Sequence, residues 1–206
     1  MAKKPAVTRA DQRRSLILKA LRDCVLKQGY AKTRLADIAE AAGMYPSHLL
    51  YYFEDKNAIL VHYFQDVSQK IIAALDEAKS KAPEYQIDLV ADLFFGRQSI
   101  TKAEVGFMLE CFGVAVNDSA LSKKKAELDE YCKDYLQALF EKSPRASIFN
   151  TKNSAEVVYA TLIGLRSAVY FDDDLSLNDA HQLFWETITY MAGLNNSRQK
   201  VAAQVN

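Results

Sequence analysis

Apolar side chains recur at helical spacing through most of the chain. Between Arg13 and Gln28, the residues Ile17, Leu18, Leu21, Cys24 and Val25 share one face, and Gly29 ends the pattern. Leu35, Ile38, Ala39 and Ala42 then repeat at i, i+3, i+4 and i+7, with Thr33 placed as an N-cap. That helix must stop near Gly43, because glycine enters the left-handed C-terminal conformation without steric cost. Pro46 suits the first position of a third helix running to about Phe53, in which Leu49 and Phe53 form a burial pair. From Lys56 onward, Leu60, Tyr63, Phe64, Val67, Ile71, Ala74, Leu75 and Ala78 step by three and four, and Pro83 closes the run. About 25 residues at about 1.5 Å each give a helix of roughly 37 Å, too long to stay within a small N-terminal domain.

Further helices are predicted over 84–95, 102–117, 120–142, 153–171 and 177–193, broken by Gly96, Asn117-Asp118, Ser143-Pro144 and Asp172-Asp173-Asp174. No alternating run argues for strands. The expected fold is therefore all-α, with an N-terminal three-helix domain over 1–56 and a helical bundle over 57–206. Residues 1–12, with Lys3, Lys4, Pro5 and Arg9, read as a loose basic arm, and the last dozen residues as frayed.

The third helix has a polar and aromatic face opposite Leu49 and Phe53. Ser47, His48, Tyr51 and Tyr52 carry groups able to reach base edges or phosphates, and Lys56 follows as a phosphate partner. Two short helices across a glycine turn, the second able to enter a major groove, make a helix-turn-helix. Thr33, Arg34 and Pro46 at the starts of the two helices complete the candidate DNA-binding set. The competing reading is a plain helical hairpin in which Tyr51, Tyr52 and Phe53 are core aromatics.

Charge adds modest support. The 26 basic and 26 acidic residues cancel overall, but residues 1–56 hold 11 Lys/Arg and 6 Asp/Glu, leaving 15 against 20 for the rest. A basic end on a mildly acidic body is what a phosphate-facing domain produces. Cys24, Cys111 and Cys132 are odd in number and far apart, which predicts reduced thiols and neither disulfide nor zinc site. With no apolar run near the roughly 20 residues that span a bilayer and no signal core, the expected location is the cytoplasm, without a membrane partner.

The N-terminal quarter resembles the TetR-type transcriptional repressors through Gly29-Tyr30, Thr33, Asp37-Ile38-Ala39, Ala42-Gly43, Leu49, Tyr52-Phe53 and Lys56. Three positions depart from the family pattern. Tyr45 stands where a Ser or Thr cap is usual, Ser47 replaces a frequent Gly, and Leu50 occupies the place of a DNA-contacting Tyr, so that contact does not carry over. The resemblance implies a ligand-released homodimeric repressor binding a pseudo-palindromic site on double-stranded DNA. It also implies a small-molecule effector, expected to have an apolar part, and a dimer interface made by the last two helices. The apolar stripes there give Leu162, Leu165, Val169, Leu183, Phe184 and Ile188 as interface candidates, the alternative being that both helices pack only on their own chain.

Over 102–117, Val105, Phe107, Met108, Leu109, Cys111, Phe112, Val114 and Val116 surround the helix almost completely, as in a helix buried at a bundle centre. Packed core and ligand cavity are both compatible with that pattern. On the cavity reading Phe107, Met108, Cys111, Phe112, Tyr135 and Arg166 are the candidate lining, with Glu110, Tyr131, Tyr135, Arg166 or Tyr170 as a polar handle. Enzyme chemistry finds no footing. A di-metal bundle needs Glu-x-x-His pairs, yet the residues three before His48, His62 and His181 are Tyr45, Ile59 and Asn178. Phosphate loops, nucleophile elbows and His-Glu-x-x-His pairs are missing too, so no catalytic residue, metal or cofactor is expected. A small-molecule-binding bundle or an enzyme without DNA binding is the alternative function.

Overall fold

A computed structural model describes residues 8–96 and 100–194. Among the described residues the chain forms α1 (Arg9–Gln28), α2 (Leu35–Ala41), α3 (Pro46–Leu50), α4 (Lys56–Ala78), α5 (Pro83–Phe95), α6 (Lys102–Ala115), α7 (Ser119–Glu141), α8 (Thr151–Phe171) and α9 (Leu177–Ala192), with no strand. No helix among these residues is long and apolar enough to cross a membrane.

Helix ends differ from the expected ones where polar chemistry rather than apolar spacing sets them. α1 starts at Arg9, inside the stretch read as a loose arm, because Thr8 and Asp11 form a capping box. The Asp11 N–H donates to Thr8 Oγ1 at 3.1 Å and the Thr8 N–H to the Asp11 carboxylate at 3.0 Å. The rest of the arm (residues 1–7) and the last dozen residues lie outside the described residues. Thr33 is not the cap of α2. Arg34 takes that position, its N–H held by the Asp37 carboxylate at 2.8 Å, while the buried Thr33 hydroxyl donates to Gly29 O at 2.8 Å. α3 ends at Leu50, which leaves Tyr51 and Tyr52 in the following turn, and Pro83 opens α5 as a first-turn residue after α4 has ended at Ala78.

The chain divides into two compact units. One holds the residues up to Val67 together with Phe107–Lys125, and the other holds Ser68–Gly106 and the residues from Ala126 on. The boundary expected at 56/57 falls at the first turn of α4, and α4, α6 and α7 each contribute residues to both units. In the first unit Ile17, Leu21, Ile38, Leu49, Phe53, Ile59, Leu60 and Phe64 are buried, and Tyr63 stacks on Phe107 with ring centroids 4.9 Å apart. Burial of each such side chain stabilises by about 1.5–3 kcal/mol.

The second unit buries Ile87, Phe95, Leu162, Val169, Phe184 and Ile188, with the Phe95 and Phe184 rings 5.5 Å apart. α5 and α9 are tied by polar contacts at the edge of that core: Trp185 Nε1 donates to Asp88 at 2.6 Å and His181 Nε2 meets Asp92 at 2.9 Å. Arg166 is buried and donates Nη1 to Phe94 O at 2.7 Å, in the last turn of α5, where carbonyls lack helical donors. Burial lowers its pKa to about 10, so it remains a cation at neutral pH.

Two expectations about apolar stripes need correction. α6 is not enclosed on all sides, since Glu110 and Gly113 face outward, in line with Val116 just past its end, which is 80% exposed. Leu162, Val169, Phe184 and Ile188 are buried within their own unit, so they have no surface to offer a partner. Leu165 is half-buried, and only Leu183 of the six is exposed. The exposed apolar positions lie on the opposite side of the same helices: Val157, Gly164 and Phe171, each seven apart on α8, and Leu183 and Tyr190, seven apart on α9.

All three cysteines are free thiols, with Cys111 and Cys132 buried and Cys24 half-buried against Asp37 O. Burial pushes the Cys111 thiol up to about 12, far from the thiolate that reacts. Neutral-pH alkylation of the native protein should therefore leave Cys111 and Cys132 unmodified by mass spectrometry, and denaturant should expose both.

Candidate nucleic-acid interface

α2 and α3 meet at a turn whose geometry follows from Gly43. Its φ of 64° is left-handed, and the Gly43 and Met44 N–H groups close α2 by donating to Glu40 O and Ala39 O, both at 3.0 Å. Tyr45 is the extended N-cap residue of α3 and Pro46 its first residue. Leu49 and Phe53 fix the inner face, fully or almost fully buried, with the Phe53 ring edge-on to His62 at 5.2 Å. So short a helix, five residues, keeps its orientation through these anchors and not through its own hydrogen bonds.

The anchored helix turns its other side to solvent. Pro46, Ser47 and His48 are exposed, as are Tyr45 at 75%, Leu50, and Tyr51 at 85%. Tyr52 is half-buried, with its ring edge-on to Tyr51 at 5.2 Å. Tyr45 and His48 meet edge-to-face at 6.2 Å. Arg13, Glu40, Gly43, Met44, Tyr45, His48, Tyr51 and Tyr52 line an open hollow of about 710 Å³. Of the candidate DNA-binding residues, His48, Tyr51 and Tyr52 line that hollow, Pro46 and Ser47 lie on the same short helix, and Arg34 is exposed at the start of α2. Tyr45, Met44 and Arg13 join it without having been singled out. Tyr45 departs from the usual cap pattern without pointing to DNA, and Arg13, at the start of the apolar pattern of α1, reaches the hollow only through the way α1 packs beside α2 and α3.

Thr33 and Lys56 stand apart. Thr33 is 1% exposed and bonded to Gly29 O. The Lys56 ammonium donates to Tyr30 O at 2.8 Å and Thr33 O at 2.9 Å and sits 4.1 Å above the Tyr30 ring, with its pKa lowered by burial. An ammonium with two of its three N–H groups engaged this way is first a tie between α4 and the turn after α1, not a free phosphate partner. Lys56→Ala should cost about 1–3 kcal/mol of stability through charge-assisted hydrogen bonds. The salt dependence of DNA binding should fall by less than the roughly one unit that a pure phosphate contact contributes. Thermal melts and salt titrations of binding check both.

The candidate effector residues do not share one unit. Phe107, Met108, Cys111 and Phe112 belong to the first, where the Lys125 ammonium lies 4.6 Å from the Phe112 ring, and Tyr135 and Arg166 belong to the second. Tyr135 is buried with an unpartnered hydroxyl, and burial pushes its phenol up to about 12. Glu110 and Tyr131, the other polar candidates, already have partners: the Tyr30 N–H at 2.6 Å and the Asp76 carboxylate at 2.5 Å. No group of three or more metal-ligating side chains occurs among the described residues.

A helix-turn-helix with a buried inner face and an exposed polar-aromatic outer one, carried on a helical body, defines a DNA-binding protein of the helix-turn-helix class. Residues 17–63 match the family model described as bacterial regulatory proteins, tetR family, a span that covers all of α2 and α3. Residues 17–63 thus carry a DNA-binding domain similar to that of tetR-family regulators, and the chain is a DNA-binding transcriptional regulator. No curated protein matches it by sequence. Solved structures share the fold at low identity. A TetR transcription regulator from Haloarcula marismortui aligns with a TM-score of 0.77 at 17% identity, over 88% of this chain and 97% of that one. A transcriptional regulator from Rhodococcus sp. Rha1 aligns at 0.75 and 15%, over 86% and 95%. A candidate transcriptional regulator from Saccharomonospora viridis in complex with choline aligns at 0.75 and 17%, over 87% and 96%.

Proposed function

We propose that the chain is a homodimeric repressor that blocks a promoter in the cytoplasm and leaves it when a small molecule binds. The exposed apolar face of α8 and α9 carries this reading: Val157, Phe171, Leu183 and Tyr190 are large apolar or aromatic side chains left in water. A Cβ on the exposed Gly164 would have no atom within 4 Å, so another helix can approach closely there. Two α3 helices related by a two-fold axis would read a pseudo-palindromic operator with half-sites about 34 Å apart or more. His48 and Tyr51, with Tyr45, would face the bases, and Ser47, Tyr52 and Arg34 the backbone.

The effector would carry an apolar part and bind among the helices of 84–171, with Arg166 and Tyr135 as polar handles, and would require no catalysis, metal or cofactor. Because α4, α6 and α7 contribute to both compact units, a change in the second has covalent routes to the first. Selection of bound genomic fragments followed by footprinting tests the reading, and a single unpaired half-site per protein would overturn the dimeric form. By linkage, an effector that releases DNA must bind the DNA-bound form more weakly by the same factor, about 5–150-fold. Calorimetric titration of a thermal-shift hit with and without operator measures that factor, and equal affinities would rule out ligand release.

A further inference from the structure

Glu110 on α6 is outside the helix-turn-helix and has no place in the reading so far, yet its carboxylate reaches into the turn that joins α1 to α2. One oxygen accepts the Tyr30 backbone N–H at 2.6 Å, and the other stands 3.1 Å from where a Cβ on Gly29 would lie. Gly29 has φ +80°, so both conformation and space favour a glycine at that position. The same turn is gripped from α4, where Lys56 holds Tyr30 O and Thr33 O and Asn57 accepts the Tyr30 hydroxyl. All these residues belong to the first compact unit.

The turn sets the angle between α1 and α2, and α3 rides on α2. Tyr30 is buried and Glu110 supplies the protein acceptor for its N–H, so removing the carboxylate takes away a contact that holds the turn. A carboxylate accepting a backbone N–H is the stronger, charge-assisted kind of hydrogen bond. We propose that Glu110 is a positioning residue for DNA binding, a carboxylate hook from α6 that holds the α1–α2 turn and thereby the aim of the recognition helix.

Electrostatics alone predicts the opposite sign, which makes the idea testable. A negative charge opposes binding to phosphates, so its removal with the fold unchanged tightens DNA binding. Positioning predicts that Glu110→Ala weakens operator binding by about tenfold, the worth of one such hydrogen bond. Glu110→Gln also removes the charge but keeps an oxygen acceptor, so it should restore wild-type affinity or exceed it. The measurements are fluorescence anisotropy of full-length protein on an operator recovered with the wild type, hydrogen exchange over residues 29–33, and melting temperature. Exchange in that segment should rise for Ala and return for Gln. Binding is read well below each melting point, so a destabilised Ala variant stays informative. Wild-type or tighter binding by Glu110→Ala overturns the proposal, and so does a Gln variant as weak as Ala. Failure of the wild type to bind any duplex would instead strike the DNA-binding assignment.

Discussion

Replacing Val157 and Leu183 together by Asp is expected to leave a folded chain that sediments as a monomer and binds its operator at least about 100-fold more weakly. The size follows from linkage of two half-sites: once one recognition helix is docked, the second binds at a high effective concentration, worth about 10²–10⁴ in affinity. Both side chains are exposed on the outward face of α8 and α9, so charge at these positions opposes association without entering the core. Phe184→Asp acts differently. Phe184 is fully buried beside Phe95, and its loss costs about 3–5 kcal/mol before the unpaired carboxylate is counted. That variant should unfold, and any loss of DNA binding in it says nothing about the interface. If the Val157/Leu183 double variant remains dimeric by sedimentation and keeps full affinity, the outward face is not where two copies meet.

That contrast shows what periodicity conveys and what it omits. The stripes on α8 and α9 were legible, because residues three and four apart share a face whatever covers it. Which of two apolar faces the chain buries for itself was not legible: Phe184 and Leu183 are neighbours in sequence, equally apolar, and differ in exposure by 46 percentage points. The choice depends on α5, which meets α9 through Asp88, Asp92 and Phe95, contacts distant in sequence. α6 repeats the lesson. Its apolar residues suggested an enclosed helix, but Glu110 and Gly113 face solvent in line with Val116 just past its end, a strip that only the tertiary arrangement leaves uncovered.

The recognition unit was more legible because its signals are local. Gly43, Pro46, Leu49 and Phe53 act within ten or so residues of one another, and the structure places each as its chemistry demands. Lys56 and Thr33 fit less simply. Both lie at positions the resemblance marks, but their polar atoms are engaged with backbone carbonyls of the Gly29–Thr33 turn, partners that residue type does not reveal. Glu110 was read as a possible handle for a ligand because an isolated charge on an apolar helix needs a partner. Its partner is the Tyr30 N–H, 80 residues away along the chain.

His48→Ala should weaken binding to the cognate operator by about 1–3 kcal/mol, roughly 5- to 150-fold, while hardly changing affinity for random duplex. The imidazole is exposed on α3, and no hydrogen bond to it from the described residues competes with a base edge. Neutral imidazole offers one donor and one acceptor, so it discriminates between bases where a phosphate contact does not. Tyr45 packs edge-on against the ring at 6.2 Å, which limits the orientations His48 samples before it docks. Tyr45→Ala should therefore reproduce part of the His48→Ala loss, again mainly on the cognate site, and the double variant should lose less than the sum of the two. Tyr52→Phe, at the half-buried edge of the same hollow, removes only a hydroxyl proposed to meet the backbone and should weaken cognate and random duplex alike. Anisotropy titrations of the four variants on matched cognate and scrambled duplexes at one salt concentration supply every number needed. Equal losses on both duplexes for His48→Ala would move it from the base-reading set to the backbone contacts, and strict additivity with Tyr45→Ala would remove the ring contact as its support.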